Sequence, residues 1–258
     1  MKGQQIPLAV QLRETASYAS FFAGPNSDAV QALRASSSPL LLYGPRGAGK
    51  THLLQACAKE SSAAPSASAG DLSRFSLTPA GAYLPLRDVA NYGVEALEGL
   101  GGATTVCLDD VDAVSGGREW CVALLRVLDE LRARGARPVL AAAAAPERMD
   151  IALPDLRTRL SACAVFGLKP LSDPDRAALL RERAQARGLE LPDEVSRWLL
   201  TQLPRDAATL LQVLELLDKA SLVEQRRLTL PFVQQVTTPL LQTLPLPLFP
   251  ASADAHKA

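Results

Sequence analysis

The first two thirds of the chain alternate short apolar runs with longer segments in which apolar residues recur at helical spacing. Each run is too short for a buried helix and is flanked by Gly, Pro or polar residues, as buried strands are. The spacing of Leu124, Leu128 and Leu131 is typical of one face of a helix near 120–134. Strands alternating with helices predict an α/β domain with a parallel sheet. The predicted strands are 40–43, 82–86, 104–108, 138–146 and 163–168.

A capped helix is predicted before the first strand. Asn26, Ser27 and Asp28 precede a helical pattern that ends near Ser36, and these residue types are frequent at helix N-termini.

The pattern changes after residue 171, where strand signals stop. Ser172 and Pro174 are typical of a helix start, and three amphipathic helices are predicted at 174–187, 192–203 and 206–224. A short closing piece is expected at 231–236. The predicted organisation is a flexible tail at 1–15, an α/β base domain at 16–168, a small all-α domain at 169–238 and a Pro-rich disordered tail at 239–258.

A phosphate-binding loop follows the first predicted strand and opens a helix. Its pattern is Gly, four residues, then Gly-Lys-Thr, in which the glycines let backbone amides wrap a phosphate beside the positive helix terminus. Lys50 is expected to reach the β- and γ-phosphates, and Thr51 to hold Mg²⁺. The sequence therefore predicts that ADP or ATP binds with Mg²⁺. The nucleotide-binding residues are Gly44, Pro45, Arg46, Gly47, Ala48, Gly49, Lys50 and Thr51.

Two carboxylates end the third predicted strand. Asp109 and Asp110 follow the apolar run 104–108. In nucleotide-binding α/β sheets, ligands lie beyond the carboxyl ends of the strands. Asp109 is therefore expected to bind the nucleotide's Mg²⁺ beside Thr51, and Asp110 to position the attacking water.

Composition and charge argue against several classes of protein. Lys and Arg number 27, as do Asp and Glu, so no overall positive field would draw the chain to DNA or to a membrane surface. Two histidines, His52 and His256, are too few for a His-based metal site or triad. The N-terminus has no signal-peptide pattern, which indicates a cytoplasmic protein. Four cysteines without a Cys-x-x-Cys pair predict reduced thiols: Cys57, Cys107, Cys121 and Cys163.

Together these motifs resemble the AAA+ proteins of the DnaA superfamily, and within them the DnaA regulatory inactivators. The phosphate loop corresponds to Walker A and 106–110 to Walker B. The all-α domain corresponds to the family's lid. The resemblance thus implies a P-loop AAA+ base domain followed by a helical lid. It covers nearly the whole chain, and its other motifs lie at 21–26, 153–160, 169–173 and 187–193.

The resemblance also implies a role and partners. Members of the inactivator family hold a nucleotide, dock on the DNA-loaded β sliding clamp of DNA polymerase III, and promote hydrolysis of the ATP bound to DnaA. A homodimer is expected. Gln5, Ile6, Leu8 and Val10 occupy the place of the family's clamp-binding motif, although the same residues could form a disordered tail. A similar segment at 242–249 is interpreted as a Pro-rich tail.

Arg159 matches the family's arginine finger, which is offered across an interface to a neighbour's γ-phosphate. A guanidinium supplied in trans can raise a hydrolysis rate by about 10³ to 10⁵. The alternative is a salt bridge at an exposed helix end, worth at most about 1 kcal/mol. Arg157 is a second candidate in the same motif.

The chain departs from the family at two phosphate-directed positions. Where AAA+ proteins place a polar sensor at the end of the fourth strand, this chain has Ala141. Where the lid carries an arginine, it has Ala208, with Arg205 nearby as a substitute at a shifted position. We therefore expect nucleotide binding, favouring ADP, with slow intrinsic turnover.

The resemblance stops where an initiator would continue into a helix-turn-helix domain, so no sequence-specific DNA binding is expected. Two other classes stay open at this point. A helicase-loader or clamp-loader ATPase would turn over ATP itself. A non-catalytic adaptor would only tether partners to the clamp.

Overall fold

The computed structural model describes residues 16–63, 81–98, 100–204 and 206–243. The chain divides into two compact units between Pro170 and Leu171. The first unit combines a sheet with helices, and the second is helical. The predicted fold class, a parallel sheet flanked by helices followed by a small all-α domain, is confirmed.

Five parallel strands form the sheet of the first unit. Leu41 at its centre pairs with Leu140 on one side and Val165 on the other. All five strands overlap the predicted apolar runs, but β4 ends at Ala142, so the prediction of strand as far as 146 was too long. They are β1 (Leu40–Tyr43), β2 (Gly81–Pro85), β3 (Thr105–Asp109), β4 (Arg137–Ala142) and β5 (Ala164–Gly167), in the spatial order β2-β3-β4-β1-β5.

Helices cover both faces of this sheet. Because successive residues of a strand face opposite sides, Leu41 shares a cluster with residues of the helix Arg118–Ala133, whereas Leu42 shares one with residues of the helix Lys50–Ala63. Burial on both faces explains why β1, β3 and β4 form continuous apolar runs in the sequence. The helices of this unit are α1 (Ser27–Ala35), α2 (Lys50–Ala63), α3 (Leu86–Val89), α4 (Arg118–Ala133) and α5 (Pro154–Ser161).

Pro85 occupies the last position of an edge strand. Among the strands in the described ranges, β2 pairs with β3 alone, and Pro85 lies opposite Asp109 at the end of the ladder. A proline lacks the N–H that a central strand needs, so it is tolerated at such a position. The sequence predicts a strand end or edge here, and this prediction is confirmed.

Four helices form the second unit around a core that includes Leu180, Leu199, Leu214 and Phe232. Ser172 begins the first of them through a capping box, in which its hydroxyl accepts from the Asp175 amide and the Asp175 carboxylate accepts from the Ser172 amide. The helices are α6 (Asp173–Gln185), α7 (Asp193–Gln202), α8 (Ala207–Glu224) and α9 (Leu230–Thr243). No helix in the described part of the chain is long and apolar enough to cross a membrane.

The closing helix is longer than the sequence predicts. The pattern predicts a short piece at 231–236, but α9 spans Leu230–Thr243 and includes Pro239, so 239–243 are helical rather than part of the predicted tail. Pro239 removes one helical N–H. The Thr237 and Thr238 hydroxyls donate to carbonyls one turn earlier, those of Val233 and Gln234.

Asn26 does not cap α1 with its side chain, which corrects the predicted cap. Its amide instead bonds the backbone of Lys169 twice: Nδ2 donates to the carbonyl at 2.9 Å, and Oδ1 accepts from the N–H at 2.8 Å. Asn26 therefore ties the start of α1 to the segment that follows β5.

Candidate functional site

The phosphate loop spans residues 44–49, between the end of β1 and the start of α2. Gly47 and Gly49 have φ values of 83° and 96°, which favour glycine. A Cβ on Gly49 would lie 2.6 Å from the Phe21 ring. Both the backbone conformation and the packing therefore require glycine where the loop turns into the helix. The described loop joins strand, glycine turn and helix N-terminus as the sequence predicts.

Lys50 is folded over this loop. Its Nζ donates to the Gly44 carbonyl at 2.6 Å and to the Pro45 carbonyl at 3.1 Å, and the residue is 9% exposed. Burial lowers the pKa of Lys50, and the carboxylates of Asp109 and nearby acids partly oppose this. The ammonium thus lies in the mouth of the loop, where a phosphate oxygen could replace a carbonyl as its acceptor.

Asp109 and Thr51 are brought together, as the predicted Mg²⁺ site requires. Asp109 ends β3, is 2% exposed, and accepts from the Tyr83 hydroxyl at 3.0 Å. Burial raises its pKa, whereas hydrogen bonds from Thr51, Tyr83 and the Asp110 amide lower it. Two oxygens fit a hard cation that takes its remaining ligands from phosphates and water. These residues would hold Mg²⁺ with the nucleotide, and the ion would neutralise phosphate charge there.

Asp110 adopts a left-handed conformation, with φ 54° and ψ 47°. Its carboxylate accepts from Arg87 Nε at 3.0 Å, and a second Arg87 nitrogen lies 3.8 Å from Asp112. Asp112 in turn accepts from the Ala143 amide at 2.8 Å. In this structure the Asp110 carboxylate is thus held by Arg87, and its predicted role in positioning water stays a prediction.

Only alanines follow the buried core of β4. Ala141 and Ala142 are fully buried, and Ala143 and Ala144 continue the loop. No side chain at 141–144 can donate to a γ-phosphate. The backbone is itself engaged, because the Ala142 carbonyl accepts from the Gly44 amide at 3.3 Å. ATP and ADP would therefore meet similar groups at this strand end.

Arg159 lies on α5, near its C-terminal end. Its guanidinium donates to the Asp129 carboxylate on α4, and the two side chains are 32% and 56% exposed. They line a cleft of about 450 Å³ together with Leu125, Asp155 and Thr158. The structure does not bring Arg159 into contact with the phosphate loop of its own chain. The neighbouring Arg157 donates to the Met149 carbonyl at 3.3 Å.

Several predicted site residues lie outside the described part of the chain. These are Arg205 and the candidate clamp-binding residues Gln5, Ile6, Leu8 and Val10. Ala208 lies in the first turn of α8, whose start is capped by Asp206 through a 2.8 Å bond from the Thr209 amide.

Sequence reasoning missed the side chains that support the acids of β3. Tyr83 belongs to β2 and bonds Asp109 at the end of β3, and Arg87 belongs to α3 and bonds Asp110, the residue that follows β3. The alternation of β2 places Tyr83 on one face, but nothing in the sequence indicates which strand lies beside it. Pairing to β3 supplies that missing information.

Comparisons with known proteins agree with this geometry. The model of the ATPase family associated with various cellular activities (AAA) matches residues 40–168, which is half of the chain. The model described as Hda, lid domain, matches residues 173–237.

Solved structures of replication and recombination ATPases share the fold. Domain III of the Thermotoga maritima initiator DnaA is 19% identical with a TM-score of 0.66, covering 90% of this chain and 99% of that one. AMPPCP-bound DnaA from Aquifex aeolicus is 21% identical with a TM-score of 0.62, covering 81% and 67%. The Thermotoga maritima RuvB branch-migration motor is 15% identical with a TM-score of 0.57, covering 89% and 74%. At these identities the likeness concerns the fold.

The phosphate loop with the acids at the end of β3, and the helices of the second unit, are each matched by a model of an AAA-type protein. The AAA model covers the sheet, the phosphate loop and the β3 acids, and the lid model covers nearly all of α6 to α9. The chain therefore belongs to the AAA family of nucleotide-binding ATPases, shares the fold of DnaA domain III, and matches the Hda lid model over residues 173–237.

Proposed function

We propose that this protein is a negative regulator of replication initiation, which holds a nucleotide and stimulates hydrolysis of the ATP bound to DnaA. The DNA-loaded sliding clamp is the platform, and Gln5, Ile6, Leu8 and Val10 are the residues that would engage it. The protein acts in the cytoplasm and can form a homodimer. The Hda lid model over residues 173–237 is the observation that separates this function from other AAA+ functions.

The phosphate loop and Arg159 lie at two separate sites of the first unit, which supports an action of Arg159 on a nucleotide held by another protein. The phosphate loop and Asp109 are arranged to hold a nucleotide with Mg²⁺, but residues 141–144 offer no side-chain donor to a γ-phosphate. Arg159, in contrast, lines a cleft to which no residue of this loop contributes. An ADP held in cis would stabilise the folded unit, while Arg159 serves a phosphate held by the partner.

The reaction assigned to the partner site is hydrolysis. Water attacks the γ-phosphorus, the bond to the β–γ bridging oxygen breaks, and ADP and phosphate leave. The transition state spreads negative charge over the equatorial oxygens, which a guanidinium in trans stabilises.

The test measures ADP formed on DnaA after it is loaded with labelled ATP and freed of excess nucleotide. The protein alone, the protein with clamp on DNA, and a Lys50→Ala variant are compared. We expect rapid ADP formation only with wild type and loaded clamp, and loss with Lys50→Ala because nucleotide binding fails. A protein that instead hydrolyses free ATP rapidly, with stimulation by single-stranded DNA, would be a loader ATPase. Full activity of Lys50→Ala would identify a simple adaptor.

A further inference from the structure

The ion pair between Arg159 and Asp129 joins two helices whose backbones are fixed by the core. Leu128, beside Asp129, is 3% exposed, and Leu160, beside Arg159, is fully buried. Both belong to the cluster that packs α4 and α5 against the sheet. The carboxylate therefore stands on a rigid support, and the arginine it holds is restrained on the opposite helix.

The carboxylate that pairs with Arg159 is not the nearest one in sequence. Asp155 precedes Arg159 by four residues on α5 and lines the same cleft, a spacing at which helical side chains meet. The ion pair nevertheless forms with Asp129, across the helix interface. The geometry thus selects one direction for the guanidinium, toward α4, rather than leaving it to lie along its own helix.

A guanidinium that bonds one carboxylate through a single nitrogen still has N–H donors that can bind a second anion. Arginine has five N–H donors in a fixed plane. One nitrogen, Nη2, donates to Asp129, and about a third of the side chain is exposed in the cleft. Holding the plane in place reduces the rotamer freedom that an unrestrained arginine would lose when it meets a phosphate.

We propose that Asp129 is a positioning residue for Arg159, which it orients for contact with the γ-phosphate of a nucleotide held by the partner. The inference rests on the proposed function. Asp129 itself touches no phosphate, because a second negative charge there would be repelled. Its contribution acts through Arg159 and belongs to the chemical step rather than to assembly of the complex.

The experiment uses the full chain and compares Asp129→Asn, Asp129→Glu, Glu130→Gln and Arg159→Ala. Glu130 is the exposed neighbour on α4, so its variant removes the same charge without removing the ion pair. The maximal rate of DnaA-bound ATP hydrolysis and the half-saturating concentration are measured separately. Melting temperature and nucleotide affinity verify that each variant is folded.

We expect Asp129→Asn to lower the maximal rate by about two- to fivefold, the range that an exposed ion pair supports, with the half-saturating concentration unchanged. Asp129→Glu restores most of the rate because it restores the carboxylate. Glu130→Gln resembles wild type. In an Arg159→Ala background, Asp129→Asn has no further effect, because the residue through which it acts is gone.

The outcomes separate the two proposals. If Arg159→Ala keeps full stimulation, the proposed function itself is wrong. If Arg159→Ala abolishes stimulation while Asp129→Asn matches wild type, only the positioning role is wrong. A faster Asp129→Asn protein would show that the ion pair restrains the arginine from acting, and a raised half-saturating concentration alone would show that Asp129 serves docking. Both results overturn the inference.

Discussion

Two buried charges in the nucleotide site oppose the stability of the nucleotide-free protein. Lys50 and Asp109 are 9% and 2% exposed, and burial shifts both pKa values toward the neutral form. Charged groups are stable in such places only when paired or hydrogen-bonded. Hydrogen bonds from Lys50 to two loop carbonyls, and to Asp109 from Tyr83, offset part of this cost.

Lys50→Met should stabilise the nucleotide-free protein but abolish nucleotide binding. Methionine has a similar length and no charge, so the nucleotide-free protein should gain about 1 kcal/mol in its free energy of unfolding. The folded-state pKa of Lys50 is lowered, so its protonated form disfavours the fold at neutral pH, and the substitution removes that penalty. Nucleotide should no longer raise the melting temperature of the variant.

Urea unfolding gives the free energy of unfolding, and thermal melting with and without ADP gives the nucleotide-induced rise in melting temperature. Lys59→Met, at an exposed position later on the same helix, is the control and should keep the ADP-induced shift. A Lys50→Met protein that still gains stability from ADP would contradict the role given to Lys50.

Asp109 should make the effect of Mg²⁺ on nucleotide affinity depend on pH. Its folded-state pKa is raised, so protonation on acidification begins at higher pH than for an ordinary carboxyl group, and a protonated acid does not bind Mg²⁺. The gain in affinity from Mg²⁺ should therefore fall as the pH is lowered through the raised pKa of Asp109, and Asp109→Asn should show little gain at any pH.

The same shift affects stability without nucleotide. A raised folded-state pKa means that the native state binds more protons than the unfolded chain between the two pKa values, so this group's contribution to stability falls as pH rises through that window.

Titrations with fluorescent ADP at decreasing pH, with and without Mg²⁺, measure the predicted loss of the gain in nucleotide affinity. An unchanged gain in Asp109→Asn would show that the ion is held elsewhere.

At the scale of elements, strands were predictable and tertiary partners were not. β1, β3 and β4 are buried on both faces, so their apolar runs are read directly from the sequence. The end of α9 was missed because Pro239 is an ordinary stop signal, yet the helix continues to Thr243. Asn26 was assigned a local cap because its actual partner, Lys169, lies 143 residues away.

Likewise, the residues of the candidate site could be predicted only where they belong to a short sequence motif. The phosphate loop and Asp109 follow from short patterns that imply their own geometry. Tyr83, Arg87 and Asp129 do not, because each meets its partner through strand pairing or helix packing.

Asn26→Ala should destabilise the first unit by about 2 kcal/mol. The substitution leaves both the N–H and the carbonyl of Lys169 without their side-chain partner, and each lost hydrogen bond costs about 1 kcal/mol. Urea unfolding of the full chain measures the loss. Asn91→Ala, at an exposed asparagine, should change stability by less than about 0.5 kcal/mol. Equal effects of the two substitutions would show that the Asn26 bonds contribute nothing specific.

At the scale of the whole molecule, nucleotide binding and the proposed arginine finger, Arg159, are assigned to different surfaces of the first unit. The cradle lies where β1 meets α2, and Arg159 lies on α5 against α4. A protein of balanced charge, with 27 basic and 27 acidic residues, gains little nonspecific attraction to DNA. Its proposed specificity must therefore come from contacts with DnaA and the clamp.

The most direct test of this account compares Arg159→Ala with wild type in clamp-dependent hydrolysis of DnaA-bound ATP. Arg132→Ala, at an exposed arginine on α4, is the matched control. We predict that Arg159→Ala binds ADP as wild type does but loses stimulation by about 10³-fold, while Arg132→Ala keeps it. Stimulation by Arg159→Ala equal to that of wild type would contradict the central claim that this arginine completes the partner's active site.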